Sequence, residues 1–121
     1  MGRNEPQPNA APSPGGTVES RMAALKLRFR ERALAEARAL ELVIDKLDDG
    51  PPELEAQAEI RRIAHRLCGG GGTFGYADMS DRAAELEELV LDHPDAPELP
   101  AACRTLVAEV RRATTATDAA A

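Results

Sequence analysis

Aromatic side chains are scarce in this 121-residue chain: they make up 2% of it, as Phe29, Phe74 and Tyr76, and tryptophan is absent. Without a row of rings there is no stacking platform for single-stranded nucleic acid. Positive charge is also short. Fifteen Lys and Arg stand against 21 Asp and Glu, a formal charge of -6. A protein that grips nucleic-acid phosphate needs a basic face, so that class is excluded. Two cysteines, Cys68 and Cys103, are too few for a disulfide framework, and both are expected to be reduced. No apolar run approaches the roughly 20 residues of a membrane span. The first residues lack the charged-then-apolar order of a secretory leader, and Pro6 stands where a myristoylation signal has Ser or Thr. A soluble, cytoplasmic chain with neither a nucleic-acid nor a membrane partner is expected.

Helix-forming residues dominate what remains. Apolar residues reach 43%, much of it Ala, so the core is expected to be thin and helical, with Leu, Ile and Val as its bulk. Residues 1–17 hold Pro6, Pro8, Pro12 and Pro14 and no apolar period, which reads as a disordered tail. Val18 to Asp49 contains no Pro or Gly and aligns Met22, Leu25, Phe29, Ala33, Leu40, Val43, Ile44 and Leu47 on one stripe. Gly50-Pro51-Pro52 ends that helix. A second helix opens near Pro52-Glu53, carries Leu54, Ile60, Ile63, Ala64 and Leu67, and runs into four glycines, Gly69 to Gly72. A third follows Asp78, capped by Asp78 or Ser80, with Met79, Ala83, Leu86 and Val90 inward. A fourth starts near Glu98 with Leu99, Cys103, Leu106 and Val110 on one face. From about Thr114 the chain is expected to fray. The pattern predicts an all-α, antiparallel four-helix bundle over residues 18–113, between a disordered tail (1–17) and a frayed one (114–121).

The chemistry concentrates between Ile60 and Glu87. At about 100° per residue, Ile60, Ile63, Ala64, Leu67, Gly71 and Phe74 cluster within about 80° of arc. His65 lies about 140° from Ile60 on the same helical wheel, pointing to solvent, with Ala58, Arg61, Arg62, Cys68, Gly69 and Gly72 on its face. Each glycine inside a helix costs roughly 1 kcal/mol relative to Ala. One explanation for four together is a need for bare backbone beside His65. A free imidazole titrates at about pH 6.5, so a neutral ring nitrogen is available as a nucleophile at neutral pH. Arg61, Arg62 and Arg66 offer positive charge for a phosphoryl group. Clustered carboxylates for Mg²⁺ are missing from the stretch, so taking phosphate directly from ATP is not expected.

At these residues the sequence resembles the histidine phosphotransfer (HPt) family of bacterial multistep phosphorelays. The family pattern is His, any residue, a Leu-like residue, Lys, Gly, four mostly small residues, an apolar residue and Gly. His65, Leu67, Gly69, Phe74 and Gly75 fall at those positions, and the resemblance spans roughly Leu25 to Arg112. It implies that His65 accepts a phosphoryl group from an aspartate of a response-regulator receiver domain and relays it to another receiver. The chain would then be a phosphocarrier and not an enzyme. It would have no cofactor or metal of its own, the receiver supplying Mg²⁺ and the catalytic groups. Receiver domains are the implied partners, with a hybrid histidine kinase as a further one, and a monomer is expected. By the same resemblance Gly69 clears space for the receiver and Gly75 allows close helix packing; Cys68 and Gly72 join Gly69 as candidates for partner access, and Phe74 joins Gly75 for helix packing. Cys68 stands where the family commonly has Lys, leaving Arg61, Arg62 and Arg66 as candidates to neutralise the phosphate.

Several other readings compete. A binding module that sequesters a receiver or kinase without carrying phosphate would account for Cys68. A purely structural bundle would leave the glycines unexplained. Gly69 to Gly72 could instead be a loop between two shorter helices. Gly70, Gly72 and Gly75 spell G-x-G-x-x-G, but no strand precedes them. His65 and Cys68 could face one metal, yet would need Cys103 and His93, which read as core packing and a solvated turn. Leu27 and Leu34 lie off the main stripe, either packed on a neighbouring helix or forming an apolar patch beside His65 for a receiver. The acids of the third helix, Asp81, Glu85, Glu87 and Glu88, read as a solvated face.

Overall fold

The computed structural model describes residues 16–47 and 52–120, with side chains as far as residue 115. Most of the expected 1–17 tail, and Gly50-Pro51, lie outside the described residues. Four helices follow one another: α1 (Val18–Ile44), α2 (Leu54–Thr73), α3 (Ala77–Asp92) and α4 (Leu99–Ala120). No strand occurs among the described residues. The chain divides into two compact units, with the boundary inside α1 between Glu31 and Arg32.

Residues 16–31 hold the first half of α1. Thr17 caps it: its Oγ1 accepts the Ser20 backbone N–H at 2.9 Å, satisfying one of the helix's orphan donors. Phe29 is buried, but Met22 and Leu25 are each 46% exposed. The helical period that aligns them with Phe29 holds. Burial also needs a facing surface, and there much of the stripe meets solvent. Leu27 is exposed as well.

The described residues of the second unit, from Arg32 on, form an all-α bundle whose first member is the 32–44 stretch of α1. Ala33, Ala37, Leu40 and Ile44 turn inward from α1, and Ile60, Ile63, Ala64, Leu67 and Gly71 from α2. Met79, Ala83, Leu86 and Val90 do so from α3, and Leu99, Cys103, Leu106, Val107 and Val110 from α4. These are the stripes that the 3.6-residue period marks out. Val43, Leu47 and Phe74 are only half-buried. Leu54 is 80% exposed, because it opens α2 before the helix reaches its neighbours. α2 and α3 run antiparallel: advancing along α2 from His65 to Cys68 means retreating along α3 from Glu87 to Ser80.

Several ends differ from expectation. α1 stops at Ile44 and not at Asp49, tightening into i→i+3 bonds from Lys46 to Val43 and Leu47 to Ile44. Neither Asp78 nor Ser80 caps α3, whose N-cap is Tyr76 with no side-chain bond. Ser80 instead donates its hydroxyl to the Cys68 carbonyl at 2.8 Å. α4 stays helical past Thr114 to Ala120. Thr114 is buried, and its hydroxyl donates to the Val110 carbonyl.

The four glycines do not break α2. Gly69 to Gly72 are all helical, so the loop between two shorter helices is not formed. A Cβ on Gly71 would stand 3.2 Å from both the Ser80 backbone nitrogen and the Tyr76 carbonyl oxygen. Gly71 is therefore the residue that lets α2 and α3 approach backbone to backbone, not Gly75. At Gly75 a Cβ would meet nothing within 4 Å, but φ is +87°, a conformation that L side chains rarely adopt. Gly75 ends α2 with the Tyr76 N–H bonded back to the Gly71 carbonyl at 2.8 Å, a Schellman closure.

Two glycine substitutions therefore have opposite signs. Gly71→Ala should lower stability by about 1 kcal/mol, because crowding outweighs the gain in helix propensity. Gly69→Ala, with open space around it, should raise stability by up to about 1 kcal/mol. Urea denaturation should place the two midpoints on either side of the wild type. A Gly71→Ala midpoint at or above wild type would contradict the close approach.

Candidate functional site

His65 sits on the outer face of α2, its side chain 77% exposed. Its neighbours one turn away, Arg61 and Gly69, leave it uncovered, and a Cβ on Gly69 would touch nothing. The ring is nevertheless held. Nδ1 lies 2.9 Å from Glu87 Oε2, an atom brought from α3 by the antiparallel packing. Glu87 is 21% exposed, so it belongs to the site and not to a freely solvated acidic face. An ionised carboxylate can only accept, so this contact favours the tautomer with hydrogen on Nδ1 and a lone pair on Nε2. Nε2, on the far side of an exposed ring, is open to an incoming group.

Around the ring is a shallow, open hollow of about 350 Å³, lined by Ala58, Arg61, Arg62, His65, Arg66 and Glu87. The three arginines differ sharply. Arg62 makes a two-pronged pair with Glu36 of α1, Nη1 to Oε2 and Nη2 to Oε1, both at 3.1 Å. It also donates from Nε and Nη2 to Glu59, at 3.0 and 2.8 Å. Such bidentate, charge-assisted bonds are the strong ones. The hydrogen bonds to Glu59 and then Glu36 hold the Arg62 guanidinium above its ordinary value. The bond to Arg62 in turn holds the Glu59 carboxyl below the usual range. Arg66 Nη1 reaches the same Glu36 at 3.5 Å. Glu36 itself is 9% exposed, a buried acid that both cations neutralise. Arg61 is exposed, and no ion pair engages it among the described residues.

The remaining expected site residues fall elsewhere. Cys68 is half-buried and turned to α3, its Sγ 3.7 Å from Ser80 Oγ, so it does not line the open face. Gly72 is exposed, and a Cβ there would lie 3.5 Å from Ser80 Oγ. Leu34 is half-buried and does not line the hollow. Cys103 is fully buried in the core and His93 caps the C-terminus of α3. Among the described residues no group of three His, Cys, Asp or Glu could hold a metal ion. The G-x-G-x-x-G reading fails on position: Gly70 and Gly72 lie in the last turn of α2. There the helix dipole presents its negative end, which repels a pyrophosphate. No helix among the described residues is long and apolar enough to cross a membrane.

Two participants escaped the sequence reading. Glu87 could be assigned to His65 only once the register of α3 on α2 was known. Glu36 carried a signal, an acid beside Ala33, Ala37 and Leu40 on the inward stripe of α1.

His65 thus faces solvent on the second helix of the bundle, with bare glycine one turn on, and a family model described as "Hpt domain" matches residues 24–114. The chain belongs to the Hpt domain family. Searches of the curated proteins and of the solved structures returned no match. The matched region of this Hpt domain includes His65, Glu87 and all three arginines.

Burial separates the two thiols of the Hpt domain. It pushes Cys103 up to about 12, so that thiol stays protonated and sealed at neutral pH. With a disulfide-exchange reagent at pH 8, one equivalent per chain should react readily, at Cys68, and the second only on unfolding. Two equally fast thiols in the folded protein would contradict the packing of α4.

Proposed function

We propose that this Hpt domain is a phosphocarrier in which His65 Nε2 takes a phosphoryl group from the aspartyl phosphate of a receiver domain and passes it to another receiver. The observation that carries this reading is the His65 ring, exposed at its Nε2 edge and anchored at Nδ1 by Glu87. In the forward step Nε2 donates its lone pair to phosphorus, an N–P bond forms, and the acyl P–O bond breaks. The aspartate carboxylate leaves with the bonding pair. The imidazole becomes a phosphoimidazolium that keeps its hydrogen on Nδ1. Glu87 then faces a cation, so its contact strengthens as the reaction proceeds, which is the condition for lowering a barrier. Reversal regenerates neutral His65 and an acyl phosphate on the second receiver. On this reading Mg²⁺ and the remaining catalytic groups belong to the receiver, and the domain works in the cytoplasm as a monomer. The bare surface at Gly69 and Gly72 admits the partner to the ring.

Incubation with a phosphorylated receiver should give label on this protein that is acid-labile and base-stable. His65→Ala should carry none, whereas label persisting in that variant would overturn the assignment. Glu87→Gln should still be labelled, but about tenfold more slowly, the loss of one charge-assisted hydrogen bond.

A further inference from the structure

Among the three arginines around His65, we propose that Arg61 alone is the phosphate-binding cation of the site, while Arg62 and Arg66 serve the fold. This rests on the reading of His65 as phosphoacceptor. A phosphoryl group arriving at Nε2 brings close to two negative charges to a surface that already holds Glu87 and Glu59. Something must offset that charge, and Cys68 supplies none, being a thiol turned towards Ser80.

The ion pairs decide which cation is free to move. To reach the phosphoryl group, Arg62 would have to abandon four hydrogen bonds, two to Glu36 and two to Glu59. It would also leave Glu36, nearly buried, to lose its main partner. Arg66 shares Oε2 of the same carboxylate at 3.5 Å, and it lies about 100° around the helix from His65. Arg61 has no such commitment. It precedes His65 by four residues, so the two side chains are neighbours on one face, with Cβ atoms about 5–6 Å apart. It lines the same hollow as the ring. A guanidinium there can present two parallel N–H groups to two phosphoryl oxygens, a geometry that a point charge cannot match. The site thus divides its arginines: two neutralise a buried acid and fix α1 against α2, and one is left for the substrate.

The test uses the whole protein and phosphoramidate as the donor, so that no receiver surface intervenes. The Nε2–P bond forms as the P–N bond to ammonia breaks, and ³¹P NMR follows phosphohistidine. Arg61→Ala should form phosphohistidine about tenfold more slowly than wild type at low salt. Arg61→Lys, which keeps the charge but not the paired N–H groups, should recover only part of that loss, and Arg66→Ala should stay within about twofold of wild type, all three variants folded by circular dichroism. The wild-type advantage over Arg61→Ala should shrink in about 1 M salt, where screening acts over about 3 Å; a structural defect would not respond in this way. Equal rates for wild type and Arg61→Ala would overturn the proposal, as would a loss in Arg66→Ala that exceeds the loss in Arg61→Ala. Absence of any phosphohistidine at position 65 in wild type would instead defeat the underlying reading, and the proposal with it.

Discussion

α2 and α3 touch backbone to backbone at Gly71, and the site depends on that contact. A side chain there would hold the helices apart, since its Cβ would already press on the Ser80 nitrogen and the Tyr76 carbonyl. Removing it lets the Ser80 hydroxyl reach the Cys68 carbonyl and, about one turn further from Gly71 along α2, lets Glu87 reach His65. The cost of glycine in a helix, roughly 1 kcal/mol, is offset at this position by packing that no other residue allows. At Gly69, where nothing lies within 4 Å, packing offers no offset, and the bare surface itself is the feature to be explained.

Charge is distributed as carefully as bulk. The chain is acidic overall, yet three arginines gather on one face of α2 around an imidazole. Two of them are tied by Glu36 and Glu59. A near-buried acid such as Glu36 is costly unless it is fully paired, and the double engagement by Arg62 and Arg66 satisfies that demand while joining α1 to α2. The positive charge that remains uncommitted stands beside an open Nε2. Stability and reactivity therefore draw on different members of one cluster.

Periodicity alone was enough to read the bundle and the exposure of His65. Ile60, Ile63, Ala64 and Leu67 mark the inward face of α2, and the histidine must then face outward. The same logic found the inward faces of α3 and α4. It failed at ends and at pairings. Leu54 carries the right residue type at the wrong place, ahead of any neighbour that could cover it. Gly71 and Gly75 are identical letters with different duties, close approach in one and a left-handed φ in the other, and only backbone geometry separates them. Glu87 lies among four acids of α3, and its partnership with His65 comes from the register of two helices.

Reactivity at His65 depends on the tautomer that Glu87 favours. Long-range ¹H–¹⁵N correlation of the His65 ring in the unphosphorylated protein, at a pH where the imidazole is neutral, reads this directly. Hydrogen is expected on Nδ1, with Nε2 bare, and that preference should weaken in Glu87→Gln. A ring that carries its hydrogen on Nε2, with Nδ1 bare, would contradict it.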